Sequence, residues 1–125
     1  MEMKVNHYVQ DWNEYIRHVL MCGYGMVNVD ISHSTNNRYG CKTLIWGLYV
    51  NEKERRKGIA KKLLAMAEDI ARDNGQEIVC LECEKPTPQW VFDWYIRMGY
   101  EDREFGNGYA AMYKTLTIRK EEIHF

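Results

Sequence analysis

The tightest constraint lies between Thr43 and Cys83. Thr43-Leu44-Ile45-Trp46-Gly47-Leu48-Tyr49-Val50 is apolar on both alternating faces, which is the mark of a central strand. Ile59, Leu63, Met66, Ala67, Ile70 and Ala71 then recur at helical spacing, and Asn74-Gly75 ends that helix near Asp73. Glu77-Ile78-Val79-Cys80-Leu81-Glu82-Cys83 reads as the next strand. Strand, helix, strand at this spacing is a parallel crossover, which is right-handed and leaves few topologies open.

The flanks read as follows. Trp12, Tyr15, Ile16, Val19 and Leu20 fit one helical face, with Asp11 as cap and Glu14 as its capping-box partner, so a helix is expected up to Cys22-Gly23. Met26 to Ser32 alternates as a half-buried strand, and Ser34-Thr35-Asn36-Asn37 is turn chemistry. Thr87 as N-cap and Pro88 at the first helical position open a helix that shows Trp90, Val91, Trp94, Tyr95 and Met98 on its apolar face and stops at Gly99. Tyr100 to Phe105 and Tyr109 to Thr115 form a hairpin across Gly106-Asn107-Gly108. The order α-β-β-α-β-α-β-β predicts an α+β fold, a mixed and mostly antiparallel sheet with flanking helices.

The chain has 125 residues, enough for one domain with its own core. Lys and Arg number 17 against 18 Asp and Glu, and this near-balance argues against a nucleic-acid partner. No apolar run approaches a membrane span, and the first residues lack an apolar stretch behind a basic start, so a cytoplasmic protein is expected. Cys22, Cys41, Cys80 and Cys83 lack the paired spacing of a zinc ribbon. Cys80 and Cys83 lie in a strand, where residues three apart face opposite ways, so structural thiols are expected. His7, His18, His33 and His124 show no ligand spacing, and no metal is expected.

Chemistry concentrates in Arg55-Arg56-Lys57-Gly58-Ile59-Ala60-Lys61-Lys62. A helix N-terminus offers unpaired amides and the positive end of the helix dipole. Gly58 lets main chain approach a phosphate, and Ala60 is nearly as small. A basic first turn opposes the dipole, and such local conflict is expected where a site is served. The bland reading is a solvated basic cap. The motif alone is weak; its place after an apolar strand and before an amphipathic helix raises its value.

Leu48-Tyr49-Val50, Arg55 to Ala60, and Leu63-Leu64 together resemble the acetyl-CoA motif of the GNAT superfamily of N-acetyltransferases. Trp94-Tyr95-Ile96-Arg97-Met98-Gly99-Tyr100 is similar to that family's Tyr-x-x-x-Gly-aromatic block, and the resemblance covers Thr43 to Leu116. It implies the acyl-CoA N-acyltransferase-like fold, of three-layer α/β type, in which a parallel strand pair splays and pantetheine fills the gap. It implies that Leu48, Tyr49 and Val50 present main chain to pantetheine and polarise the thioester carbonyl. It implies that Arg55, Arg56, Lys57, Gly58, Ile59, Ala60 and Lys61 surround the pyrophosphate. Tyr95 matches the general acid; Glu82 or Glu84 matches the carboxylate that takes the amine's proton. The ordinary alternatives are a core aromatic and solvent-facing strand-end acids.

On that resemblance one domain spans residues 1–125. Residues 1–42 hold a short helix and strand, 43–84 the acetyl-CoA-binding core, 85–116 a helix and hairpin, and 117–125 a tail. Acetyl-CoA is the implied acyl donor and an amine, of a small molecule or a protein, the acceptor. Two departures stand out. Thr87-Pro88 replaces the Asn that often opens the Tyr95 helix, and the segment before Met26 is short for the family, which leaves the acceptor side open or completed by a partner. The aromatics Trp12, Trp46, Trp90, Trp94, Tyr109 and Tyr113 are candidate acceptor walls, with core packing the commoner role. A homodimer could form through the edge of the terminal hairpin. The alternative to an enzyme is a non-catalytic CoA-binding or protein-interaction module on the same fold.

Overall fold

A computed structural model describes residues 3–34, 40–83, 87–105 and 109–117. Its elements run β1 (Asn6–Asp11), β2 (Tyr15–Cys22), β3 (Gly25–Ser32), β4 (Thr43–Val50), a 3-10 turn (Glu52–Glu54), α1 (Ile59–Asp73), β5 (Ile78–Cys83), α2 (Gln89–Arg97), β6 (Glu101–Phe105) and β7 (Tyr109–Thr115). The strands form one sheet in the order β1-β2-β3-β4-β5-β7-β6. Among the described residues only β4 and β5 pair in parallel; the other neighbours are antiparallel.

The helix expected across residues 11–22 is a strand hairpin instead. Asp11 does not cap a helix: its Oδ1 accepts the Asn13 amide at 2.8 Å, and Asn13 takes the left-handed φ of 73° that turns the chain. Asp is as good in an Asx turn as at a helix cap, so the residue alone does not decide. Partners decide. Tyr15 to Cys22 pairs in full register with Ser32 back to Gly25, and with β1 on its other side. Within it Tyr15, Ile16 and Val19 are aromatic or β-branched, types that suit a pleated surface. The observed order is therefore four strands before the first helix. The other elements fall within one or two residues of expectation. At α2 the N-cap is Pro88 rather than Thr87. Trp94, Tyr95 and Met98 pack inward as expected, joined by Phe92, whereas Trp90, expected on the same face, is 66% exposed.

One core cluster joins Leu20, Val27, Val29, Ile45 and Val50 of the sheet to Ile59, Leu63, Leu64, Ala67 and Ala71 of α1. Residues of α2 pack against the same cluster. Cys41, Cys80, Ala111 and Tyr113, with Leu44, form a second cluster that contains no helix residue. Cys41 and Cys80 are both buried, and their mutual contact, then burial, pushes the Cys80 thiol far up. The side chains of Cys83, Tyr109 and the residues from 84 to 86 lie outside the described set.

Two polar groups sit in this frame. Glu68 of α1 is buried, accepts the Tyr100 hydroxyl at 2.8 Å, and meets Lys114 Nζ at 3.0 and 3.2 Å. Burial, then the Glu68 charge, push the Tyr100 hydroxyl pKa well up, so it remains a donor. On the sheet, buried His18 lies 2.9 Å from the ring of His7. Burial and then His7 depress its pKa below 6.5, with Asp30 opposing. A base depressed in the folded state binds fewer protons than when unfolded. Its stability contribution is therefore present at neutral pH and is lost as pH falls below about 6.5. His18→Leu is expected to flatten the melting temperature against pH between neutrality and pH values below that point. An unchanged slope would remove His18 as the cause.

Candidate active site

The site begins where β4 and β5 part. Their parallel pairing has one register position, Leu44 opposite Cys80. Beyond it, residues 45–50 and 81–83 continue without a paired partner across the gap. Trp46 and Glu82 each stand two residues past that bridge, so they share the face of the sheet that carries Leu44 and Cys80.

A bulge bends β4 at this point. Met26 pairs with Tyr49 and Asn28 with Trp46, so Val27 alone opposes both Gly47 and Leu48. Gly47 has φ +66°, and a Cβ there would lie 2.7 Å from Asn28 Nδ2. The bulge resets the alternation: Trp46 and Tyr49 reach the same face, 38% and 51% exposed, while Leu48 and Val50 join the helix-side core. Sequence reading passed over this feature, although a lone glycine inside a strand is its signal.

The loop after β4 is held at its start. The Asn51 amide donates to the Tyr24 carbonyl at 2.7 Å, and its side chain donates to Gly23 at 3.3 Å. Arg55 Nε donates to the Val50 carbonyl at 3.1 Å, with the guanidinium 5.9 Å from the Tyr49 ring centroid. Arg56 and Gly58 both adopt left-handed φ, 67° and 80°. Lys57 pairs with Glu54 at 2.9 Å in the open, which contributes little.

Gly58 is the N-cap of α1 and supplies no side-chain cap, and no acid stands in the first turn. Ile59 is buried and pins the helix start, leaving the amides of Ile59, Ala60 and Lys61 without a capping oxygen from that residue. A Cβ on Gly58 would meet nothing within 4 Å, so there is open space at the helix mouth. Arg55, Arg56, Lys57, Lys61 and Lys62 are all exposed around it. Open volume, free amides and five cations fit a diphosphate. The residues present thus fit the pyrophosphate of a CoA thioester.

Tyr95 lies on α2, half-buried in the same core cluster as Leu48 and Ile59. Its ring meets Trp94 and Tyr100 edge-on, with centroids at 5.1 and 5.7 Å. Its carbonyl accepts the Tyr100 amide at 3.0 Å, locking the end of the helix. Glu82 is half-buried on β5 opposite Ala111. Glu84 lies outside the described residues.

A further group was not legible. Arg17 of β2 forms a bidentate pair with Asp30 at 2.8 and 3.0 Å, which holds the guanidinium all the more firmly charged. Its carbon lies 4.7 Å from the Trp46 ring centroid, 5.3 Å from Tyr15 and 5.9 Å from Trp12. Of the candidate acceptor walls, Trp12 and Trp46 stand here at the surface, Trp94 and Tyr113 are packed against or within the two cores, and Trp90 is exposed on α2. The signal was the opposite charges of Arg17 and Asp30 on two segments joined by Gly23-Tyr24-Gly25, hidden while residues 11–22 read as a helix.

A seven-stranded mixed sheet parted at one parallel pair, with an uncapped basic helix mouth beside the opening, defines an acyl-CoA N-acyltransferase-like fold. The chain belongs to the GNAT acetyltransferase family: the model described as "Acetyltransferase (GNAT) family" matches residues 11–100. Among solved structures, the chain is similar to PaiA N-acetyltransferase from Thermoplasma acidophilum in complex with coenzyme A. The two are 18% identical, with a TM-score of 0.63, over 82% of this chain and 62% of that one. A Bacillus subtilis acetyltransferase in complex with CoA is 12% identical, with a TM-score of 0.64, over 91% of this chain and 100% of its own. The IAA acetyltransferase of Bacillus cereus is 17% identical, with a TM-score of 0.62, over 82% of this chain and 79% of that chain. Among curated proteins no sequence matches. Among the described residues no group of three metal-ligating side chains converges, and no helix is long and apolar enough to cross a membrane.

Proposed function

We propose that this chain transfers an acetyl group from acetyl-CoA to a primary amine by direct attack in a ternary complex. The observation that carries the reading is the parting of β4 from β5 beside the uncapped mouth of α1. The amides from Arg56 to Lys61 hold the diphosphate, with Arg55 and Lys57 supplying charge. Leu48, Tyr49 and Val50 lend main chain to the pantetheine arm, and an amide there polarises the thioester carbonyl.

Glu82, or Glu84 beyond it, takes a proton from the ammonium, directly or through water. The amine nitrogen attacks the carbonyl carbon, the C=O electron pair moves onto oxygen, and the nitrogen sheds its second proton to solvent. Collapse re-forms the C=O bond and breaks the C–S bond. The leaving thiolate takes the Tyr95 phenol proton, and the base's proton later returns to Tyr95 through solvent. Thiol and phenol differ by about 1.5 in ordinary pKa, so the last transfer depends on placement rather than driving force. The edge-on packing of Tyr95 supplies such placement. Trp46 and Glu82, on one face at either side of the gap, border the acceptor's approach.

Tyr95→Phe keeps both ring contacts and removes the hydroxyl. Thiol release with an amine panel is expected to fall about 100-fold or more, while calorimetric affinity for CoA stays within error. Equal turnover would strip Tyr95 of the acid role. No turnover by the unaltered protein on any amine, with CoA still bound, would make it a binding module instead.

A further inference from the structure

The sheet has two edges, β1 and β6. An edge strand offers unpaired main-chain groups to any second strand, and proteins commonly blunt it with charge or proline. β6 reads Glu101-Asp102-Arg103-Glu104-Phe105, four charges in a row. β1 reads Asn6-His7-Tyr8-Val9-Gln10-Asp11, with neither lysine nor proline, and every residue is exposed. Tyr8 and Val9 are 51% and 60% exposed.

The hydrogen-bond phase of β1 follows from its turn. The Trp12 amide donates to the Tyr15 carbonyl at 3.0 Å, so Trp12 and Tyr15 face one another with their main-chain groups. By alternation, Gln10, Tyr8 and Asn6 also turn their amides and carbonyls toward β2. His7, Val9 and Asp11 therefore aim theirs outward. Antiparallel self-pairing must use these three, and a twofold axis at Val9 uses all of them. That register places Val9 on the partner's Val9, and His7 on the partner's Asp11 in both directions. His7 Nε2 lies against His18, which leaves its Nδ1 for the carboxylate. Asp11 Oδ1 takes the Asn13 amide, which leaves Oδ2. No like charges oppose one another.

We infer that β1 is a homodimer interface, in which two copies join antiparallel about Val9 into one continuous sheet. The unprotected outward backbone and the His7–Asp11 complementarity name a second copy as the occupant. The inference stands whether or not the chain acetylates an amine.

Sedimentation of the full chain tests it. A particle of twice the 14.9 kDa chain mass is expected at micromolar and higher loading. Val9→Pro removes an outward amide and no bond to β2, so a folded monomer of half the wild-type mass is expected. Val9→Cys is expected to form an intermolecular disulfide under mild oxidation, since hydrogen-bonded antiparallel partners have Cα atoms about 5.5 Å apart. Tyr8→Cys, opposite the partner's Gln10, is expected not to exceed the unaltered chain under the same oxidant. A monomeric wild type overturns the inference, as does a folded Val9→Pro variant that remains dimeric. Should that variant not fold, Tyr8→Cys cross-linking as well as Val9→Cys overturns the register.

Discussion

Gly58→Glu is expected to abolish coenzyme A binding while the fold survives. A side chain at this position enters open space, so no packing is disturbed. The φ of 80° imposes a cost on any L residue of about 1–2 kcal/mol. That lowers the melting point by several degrees without unfolding a chain of this size. The effect on binding is larger. A carboxylate would stand at the helix mouth, where the diphosphate is proposed to sit. Two unit charges about 4 Å apart repel by about 4 kcal/mol at the effective dielectric of a protein surface, about a thousandfold in affinity. Gly58→Ala carries the same backbone strain without the charge, and is expected to lose far less. Titration calorimetry with CoA reads both. Unchanged affinity in the glutamate variant would remove the cradle from the helix mouth, and the proposed transfer with it.

Lys114→Ala is expected to be the most destabilising single change outside the apolar core. Glu68 is buried in the packed face of α1, with Tyr100 and Lys114 as its partners. The lysine spans from β7 to α1, and its stem also lies against Gly99, where a Cβ would come within 3.3 Å of Cε. Removing it leaves a buried carboxylate with one hydroxyl donor. Breaking a buried pair on one side costs about 3–5 kcal/mol, a large share of the stability of a small domain. Denaturant titration of Lys114→Ala and of Lys114→Ala/Glu68→Leu separates the causes. The double variant is expected to recover much of the loss, because no charge is then stranded. A single variant within about 0.5 kcal/mol of wild type would show the pair to be marginal.

The crossover from Thr43 to Cys83 was legible because each of its parts has one strong period. Its helix opens at Ile59 and ends at Asp73 as the pattern required. Residues 11–22 misled for a definable reason. A strand that packs on both faces places apolar residues at successive positions, and Tyr15, Ile16, Val19 and Leu20 then coincide with a helical stripe. Ile16, His18 and Leu20 lie on the face toward α1, whereas Tyr15, Arg17 and Val19 lie on the other. The buried His18 was the clue, being wrong for the helical stripe and right for the strand. In the site, the helix mouth was readable from glycine and charge. The bulge at Gly47 and the left-handed φ of Arg56 were not, since both depend on how β3 and the loop constrain β4. Spacing alone puts Trp90 inward; a helix only nine residues long has room for a narrow half-buried stripe, and the Phe92 and Tyr95 side takes it.

The lone bridge between Leu44 and Cys80 makes the sheet two plates riveted at a single point. On one side lie four strands, on the other three. A guest threaded along the seam would act as mortar, so the completed sheet would exist only in the loaded protein, and grip on the donor and rigidity of the whole would rise together.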